Sequence, residues 1–173
     1  SLRKELAPAL PAIMGDPIQL QQVLVNLIVN AMDAQSDIPQ SRRYVTVSSR
    51  HCDEGIEVAV RDGGCGIPPE KMSLLFESFF TGKHQGMGLG LSIARTFVAE
   101  HRGRIWVENN PEGGATFRFA LPAGEADEPP ETNKTMNAPN LSLREVIPAI
   151  IGLRCCPGNI GIAKVAKTGA GLP

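Results

Sequence analysis

The chain has 173 residues, of which 42% are apolar, which suits one core of ordinary size plus a tail. A formal charge of −1 supplies no field that would steer it toward nucleic acid or an anionic membrane, so an anionic ligand needs a local site. No apolar run approaches the length that spans a bilayer, and the four cysteines (Cys52, Cys65 and the adjacent Cys155 and Cys156) lack metal-type CxxC spacing, so a cytoplasmic setting is expected. The opening Ser1-Leu2-Arg3-Lys4 reads as a piece of something longer.

Asp16-Pro17 is a helix-start signal, and Ile18, Leu20, Val23, Leu24, Leu27, Ile28, Ala31 and Met32 follow at helical spacing, predicting a helix from about Asp16 to Gln35. Two alternating runs, 44–49 and 56–61, flank Asp53-Glu54-Gly55 and predict a hairpin whose second strand runs into Asp62. Pro68 and Pro69 open a short helical segment, and the glycines from 86 to 90 open a longer helix that stops near Gly103. Residues 104–108 and 115–121 read as two more strands. The expected fold is an α+β two-layer sandwich, a mixed and mainly antiparallel sheet with helices on one face.

From Pro122 the composition changes to an acidic, proline-containing linker (residues 123–131) and a tail rich in Gly, Pro and Asn. The expected division is a domain over 1–122 and a linker with a weakly structured tail over 123–173. The tail carries equal numbers of basic and acidic residues and is no polybasic arm. Its apolar run, 141–153, is interrupted by Pro148 and ended by Gly152.

Three stretches carry chemistry. Asn26, Asn30 and Asp33 fall at i, i+4 and i+7 and share one helical stripe beside an apolar face. Carboxamide oxygens are hard ligands suited to Mg²⁺, although two asparagines taken alone read first as a solvated face. Asp62-Gly63-Gly64-Cys65-Gly66-Ile67 follows a strand directly. An Asp there can accept from an exocyclic amine such as that of adenine, and glycines let a ring approach the backbone; a tight glycine turn is the equal alternative. Gly86-Met87-Gly88-Leu89-Gly90-Leu91 leads into a helix whose N-terminus favours phosphate oxygens. The dinucleotide fingerprint fails because Leu91 stands where glycine is required, and the P-loop fails because His84 follows Gly82-Lys83.

In order, these stretches resemble the N, G1, F and G2 boxes of sensor histidine kinases: residues 26–31, 62–67, Phe76-Glu77-Ser78-Phe79-Phe80, and 86–91. Gly113-Gly114-Ala115-Thr116-Phe117 is similar to that family's closing glycine and threonine motif, and the resemblance covers about residues 2–122. Asn30-Ala31-Met32-Asp33-Ala34 and the short segment between Phe80 and Gly86 look like the subgroup of nitrogen-regulation and oxygen-sensing kinases.

The resemblance implies a Bergerat-type fold that binds ATP and Mg²⁺. Asp62 would bind the adenine N6, and Asn30 would hold Mg²⁺ with help from Asn26. Gly86, Gly88 and Gly90 would shape a lid over the phosphates, and Thr116 would lie near adenine. Asp33, Gly64, Gly66, Ile67, Phe80, Lys83, Met87 and Leu89 complete the implied nucleotide-binding set. Gly82 and Ser78 depart from the family's usual residues at the lid.

The implied partners are the histidine-phosphoacceptor dimerisation domain of a parent kinase and, indirectly, a response regulator. No catalytic phosphoacceptor lies in this chain, because His51, His84 and His101 lack the acceptor context. Two rivals stand beside this reading. Gyrase- or chaperone-type ATPases resemble these motifs but carry Glu where Asn26 stands, and an amide has no useful basicity at neutral pH. The other rival is a module that binds nucleotide without turnover.

Overall fold

The computed structural model describes residues 1–80, 88–124 and 140–141. In chain order the elements are β1 (Leu2–Leu6), β2 (Ile13–Met14), α1 (Pro17–Asp33), β3 (Val45–Cys52), β4 (Gly55–Asp62), α2 (Pro69–Met72), α3 (Gly90–Glu100), β5 (Arg104–Asn109), β6 (Ala115–Leu121) and β7 (Asn140–Leu141). A 3₁₀ turn at Gln40–Arg42 precedes β3.

α1 begins where expected. Asp16 caps it by accepting the Ile18 N–H at 2.7 Å on Oδ1, and Pro17 occupies the first turn, where its missing N–H costs nothing. The helix buries Leu20, Val23, Leu24, Leu27 and Ala31, and Ile28 packs at the edge of the same cluster. Gln35 is 1% exposed just beyond it. Its Nε2 donates to the Ala31 carbonyl at 2.8 Å and its Oε1 accepts the Tyr44 N–H at 2.9 Å, so one buried amide joins the end of α1 to the entry of β3.

The main sheet has the order β1-β3-β4-β6-β5. Three pairings are antiparallel, and β1 lies parallel to β3 because α1 returns the chain to the same end of the sheet between them. β4 is central and buried on both faces. Val58, Val60, Phe117 and Phe119 face α1 and α3 with Val47 and Val98 in one core. The other face is covered by charged side chains. Glu57 accepts from Arg50 (2.9 and 2.8 Å) and from Arg118 (2.7 Å), shielding small neighbours such as Ala59 and Ala120. The fold is therefore the expected two-layer α+β sandwich with helices on one face.

β1, β2 and β7 are additions to the sequence-based outline. β7 pairs antiparallel with β2, Ile13 opposite Leu141 and Met14 opposite Asn140. The Gly124 N–H also donates to the Ala12 carbonyl at 2.8 Å, so ordered packing reaches past Pro122. Residues 125–139 and 142–173, with most of the apolar run and Cys155 and Cys156, lie outside the described residues.

Candidate nucleotide site

β4 delivers Asp62 to its C-terminal end on the same face as Val58 and Val60, where the carboxylate is 1% exposed. Its Oδ1 accepts the Gly64 N–H at 2.8 Å and the Ala115 N–H at 3.2 Å. Burial pushes the Asp62 carboxyl up from its ordinary value, and those two backbone donors pull it partly back. The side chain is thus oriented through one oxygen, which leaves Oδ2 as the acceptor.

Two glycines beside Asp62 have no room for a side chain. A Cβ on Gly64 would lie 2.6 Å from the Ala34 carbonyl oxygen, and one on Gly114 (φ +80) would strike the Asp62 carbonyl oxygen. The loop therefore abuts the C-terminal end of α1, the helix that carries Asn26, Asn30 and Asp33. Asn109 closes its far side: Oδ1 accepts the Ile67 N–H at 2.9 Å and Nδ2 donates to the Ile67 carbonyl at 2.8 Å.

Asn26 connects α1 to the start of α3. Its Nδ2 donates to the Gly90 carbonyl at 2.9 Å, and its Oδ1 accepts from Gln22 Nε2 at 2.9 Å. Asn30 and Asp33, farther along the stripe, are likewise engaged in polar interactions. Gly90 opens α3, and among the described residues no side chain caps its first turn. Leu89 precedes it and accepts the Ser92 hydroxyl at 3.0 Å.

Phe76 packs edge-on against Phe117 with ring centroids 6.4 Å apart. Half-buried Phe80 follows Phe79, which is 74% exposed at φ 66. Gly88 adopts φ +65 against the Phe79–Phe80 backbone, where a Cβ would come within 2.7 Å of the Phe80 carbonyl oxygen. The two sides of the segment 81–87 are thereby brought together. Lys83, Gly86 and Met87, like Gly82 and His84, lie outside the described residues.

One expected position is corrected. Thr116 pairs with Arg61 and, by strand alternation, lies on the sheet face opposite the Asp62 carboxylate. Its hydroxyl donates to Asn110 Oδ1 at 2.6 Å. The residue beside the carboxylate is Ala115, which offers its backbone N–H and a methyl group. Sequence reasoning also missed Asn109, Asn110 and Gln35. The only local sign of the asparagines was an Asn-Asn-Pro turn beside two glycines, which reads as a loop until its contacts are known.

Among the described residues no cluster of three His, Cys, Asp or Glu side chains is placed to hold a metal ion. A divalent cation here would rely on carboxamide oxygens from α1 and on the ligand's own oxygens. That donor set fits Mg²⁺, which keeps much of its hydration and takes few protein ligands.

Residues 15–125 match the family described as histidine kinase-, DNA gyrase B-, and HSP90-like ATPases. The chain is 46% identical over 124 residues to the sensor protein FixL of Bradyrhizobium diazoefficiens, covering 72% of this chain and 24% of that protein. It is 39% identical over 124 residues to the sensor histidine kinase TmoS of Ectopseudomonas mendocina, covering 70% of this chain and 13% of the relative, so it spans a quarter or less of both. Among solved structures, a nucleotide-free catalytic domain of histidine kinase ThkA aligns with TM-score 0.62 and 34% identity over 70% of this chain and 78% of that one. ThkA in complex with the response regulator TrrA aligns with TM-score 0.59 and 30% identity, over 72% and 34%. The shared fold is of the Bergerat type, and the chain belongs to the histidine kinase-, gyrase- and HSP90-like ATPase family as a catalytic domain of the sensor histidine kinase kind.

Proposed function

We propose that the chain binds ATP with Mg²⁺ and donates the γ-phosphate to a histidine on a dimerisation and phosphoacceptor domain outside these residues, as one step of two-component signalling. The observation that carries the reading is the buried Asp62 carboxylate, oriented through Oδ1 by the Gly64 and Ala115 N–H groups at the start of a glycine loop. Oδ2 accepts the exocyclic amine of adenine. Gly64, Gly66 and Ile67 form the wall against the base, and Phe80, Gly88, Leu89 and the N-terminal turn of α3 attend the phosphates. Asn30 and Asn26 hold the Mg²⁺, which when bound neutralises phosphate charge and aligns the γ-phosphoryl group.

Transfer proceeds by attack of an imidazole nitrogen of the acceptor on the γ-phosphorus, forming an N–P bond as the bond to the β–γ bridging oxygen breaks and ADP leaves. The domain contributes positioning and exclusion of competing water. Asn26 supports transfer over hydrolysis, because an amide has no useful basicity at neutral pH and does not take a proton from water. The response regulator would receive the phosphoryl group from the acceptor histidine.

The test supplies the acceptor helices separately, with labelled ATP and Mg²⁺. Without a covalent linkage the acceptor loses an effective concentration of about millimolar, so labelling is slow and depends on acceptor concentration. The expected product is acid-labile label on the acceptor and none on this chain, abolished by Asn30→Ala. Rapid acceptor-free hydrolysis that disappears in Asn26→Ala would overturn the kinase reading in favour of an ATPase.

A further inference from the structure

The loop from Asp62 to Ile67 contains three glycines, and a glycine-rich loop of that length left to itself samples many conformations. The two side chains that tie down its ends are Asn109, the last residue of β5, and Asn110, the first of the turn that follows. Asn109 grips Ile67 through both its N–H and its carbonyl, as a strand partner would. Asn110 Nδ2 donates to the Asp62 carbonyl at 3.1 Å.

Asn110 is itself held on all sides. Its Oδ1 accepts the Thr116 hydroxyl, its N–H donates to the Gly114 carbonyl at 2.9 Å, and its carbonyl accepts the Gly113 N–H at 3.0 Å. Each amide uses its oxygen and its nitrogen in these bonds, and neither residue belongs to those proposed to touch the nucleotide.

We propose that Asn109 and Asn110 are positioning residues for base recognition: they clamp the two ends of the Asp62–Ile67 loop so that the Asp62 carboxylate and the glycine wall meet a 6-aminopurine in one geometry. This inference rests on the ATP reading above. It assigns to the end of β5 and the turn after it the selectivity for the 6-amino group, while the phosphate and Mg²⁺ contacts on α1 and α3 stay independent of it. Gly66, at φ +74 and immediately before the clamped residue, makes the loop reverse at that point, and Asn109 stops it from reopening.

The experiment compares ATP with purine riboside triphosphate, which lacks the 6-amino group, by titration calorimetry in the presence of Mg²⁺. Asn109 is exposed, so Asn109→Leu removes both hydrogen bonds at constant size without entering the core. In that variant ATP affinity should fall about tenfold, as expected for two lost hydrogen bonds, while affinity for the analogue changes by less than about twofold. The discrimination ratio therefore collapses. Asn109→Asp, which still accepts from Ile67 N–H but cannot donate to its carbonyl, should fall between the two, and Asn110→Ala should repeat the pattern.

An unchanged ratio in Asn109→Leu would overturn the proposal. So would an equal loss for both nucleotides that tracks a falling melting temperature, which is the signature of a brace for the fold alone. A wild-type chain that bound neither nucleotide would instead overturn the ATP reading on which the proposal stands.

Discussion

At the scale of single residues, two carboxylates on adjacent parts of β4 are pulled in opposite directions. Glu57 is held below the ordinary carboxyl range, first by its hydrogen bond from Arg50 and then by Arg118, against a burial penalty. Its contribution to stability is present above the unfolded-state pKa and is lost as pH falls through the lower, folded one. Glu57→Gln should therefore destabilise the fold at pH 7 by about 1–3 kcal/mol, with the difference from wild type shrinking on acidification below the ordinary carboxyl pKa in denaturant titrations. Asp62 is raised, so its sign is reversed: folding favours the protonated form, and the ionised side chain at neutral pH is a net cost to the free protein. Asp62→Asn should raise the melting temperature of the ligand-free chain while weakening ATP by about 1–3 kcal/mol, because the amide can aim a donor at the adenine amine. Calorimetry on the same two proteins reads both effects.

Among elements, α1 is the member on which the site is assembled. Its C-terminal end meets the Asp62 loop, Asn26 meets the start of α3, and its N-terminus is latched to the end of α3 by His101. The Asp16 N–H donates to His101 Nε2 at 2.8 Å, so the ring proton lies on Nδ1, which donates to the Phe97 carbonyl at 2.6 Å. A Cβ on Gly15 would meet that ring at 2.5 Å, which explains the glycine before the cap. His101→Ala removes the only acceptor placed for the Asp16 N–H among the described residues and should cost about 0.5–1.5 kcal/mol of stability. Chemical denaturation should show that loss, with base discrimination between ATP and its 6-deamino analogue retained, since the latch lies at the other end of α1 from the Asp62 loop.

For the whole molecule, the sheet, α1 and α3 share one core, and the chain past Gly124 touches it, within the described residues, through the two-residue pairing of β7 with β2. We propose that residues 1–124 form the folding and nucleotide-binding unit. A chain cut after Gly124, keeping the bond to Ala12, should hold its ATP affinity within about twofold and lose at most about 1 kcal/mol, since one short edge pairing is small against a shared core. Calorimetry and thermal melts of the truncated and full chains test this. A large loss would mean that residues beyond 124 belong to the core.

The sequence by itself determined the elements whose signals are local. The Asp16-Pro17 cap, the 3.6-residue apolar period of α1, the alternation of β3 and β4, the strand character of β5 and β6, and the order of the glycine motifs around Asp62 and Gly90 were all legible, because each depends on residues within one or two turns of one another. What only the tertiary structure decided depends on partners far apart in sequence. The parallel edge strand β1 has no pattern of its own and exists because α1 brings it back beside β3. Thr116 and Ala115 are adjacent in sequence but lie on opposite faces, and only the cross-strand register with Arg61 and Asp62 shows that the backbone N–H of Ala115, not the hydroxyl of Thr116, meets the carboxylate. The clamp from Asn109 to Ile67 spans 42 residues, and the latch from Asp16 to His101 spans 85. A polar side chain carries no local mark of the backbone group it will satisfy, so such contacts emerge only when the sheet and its two helices have closed around them.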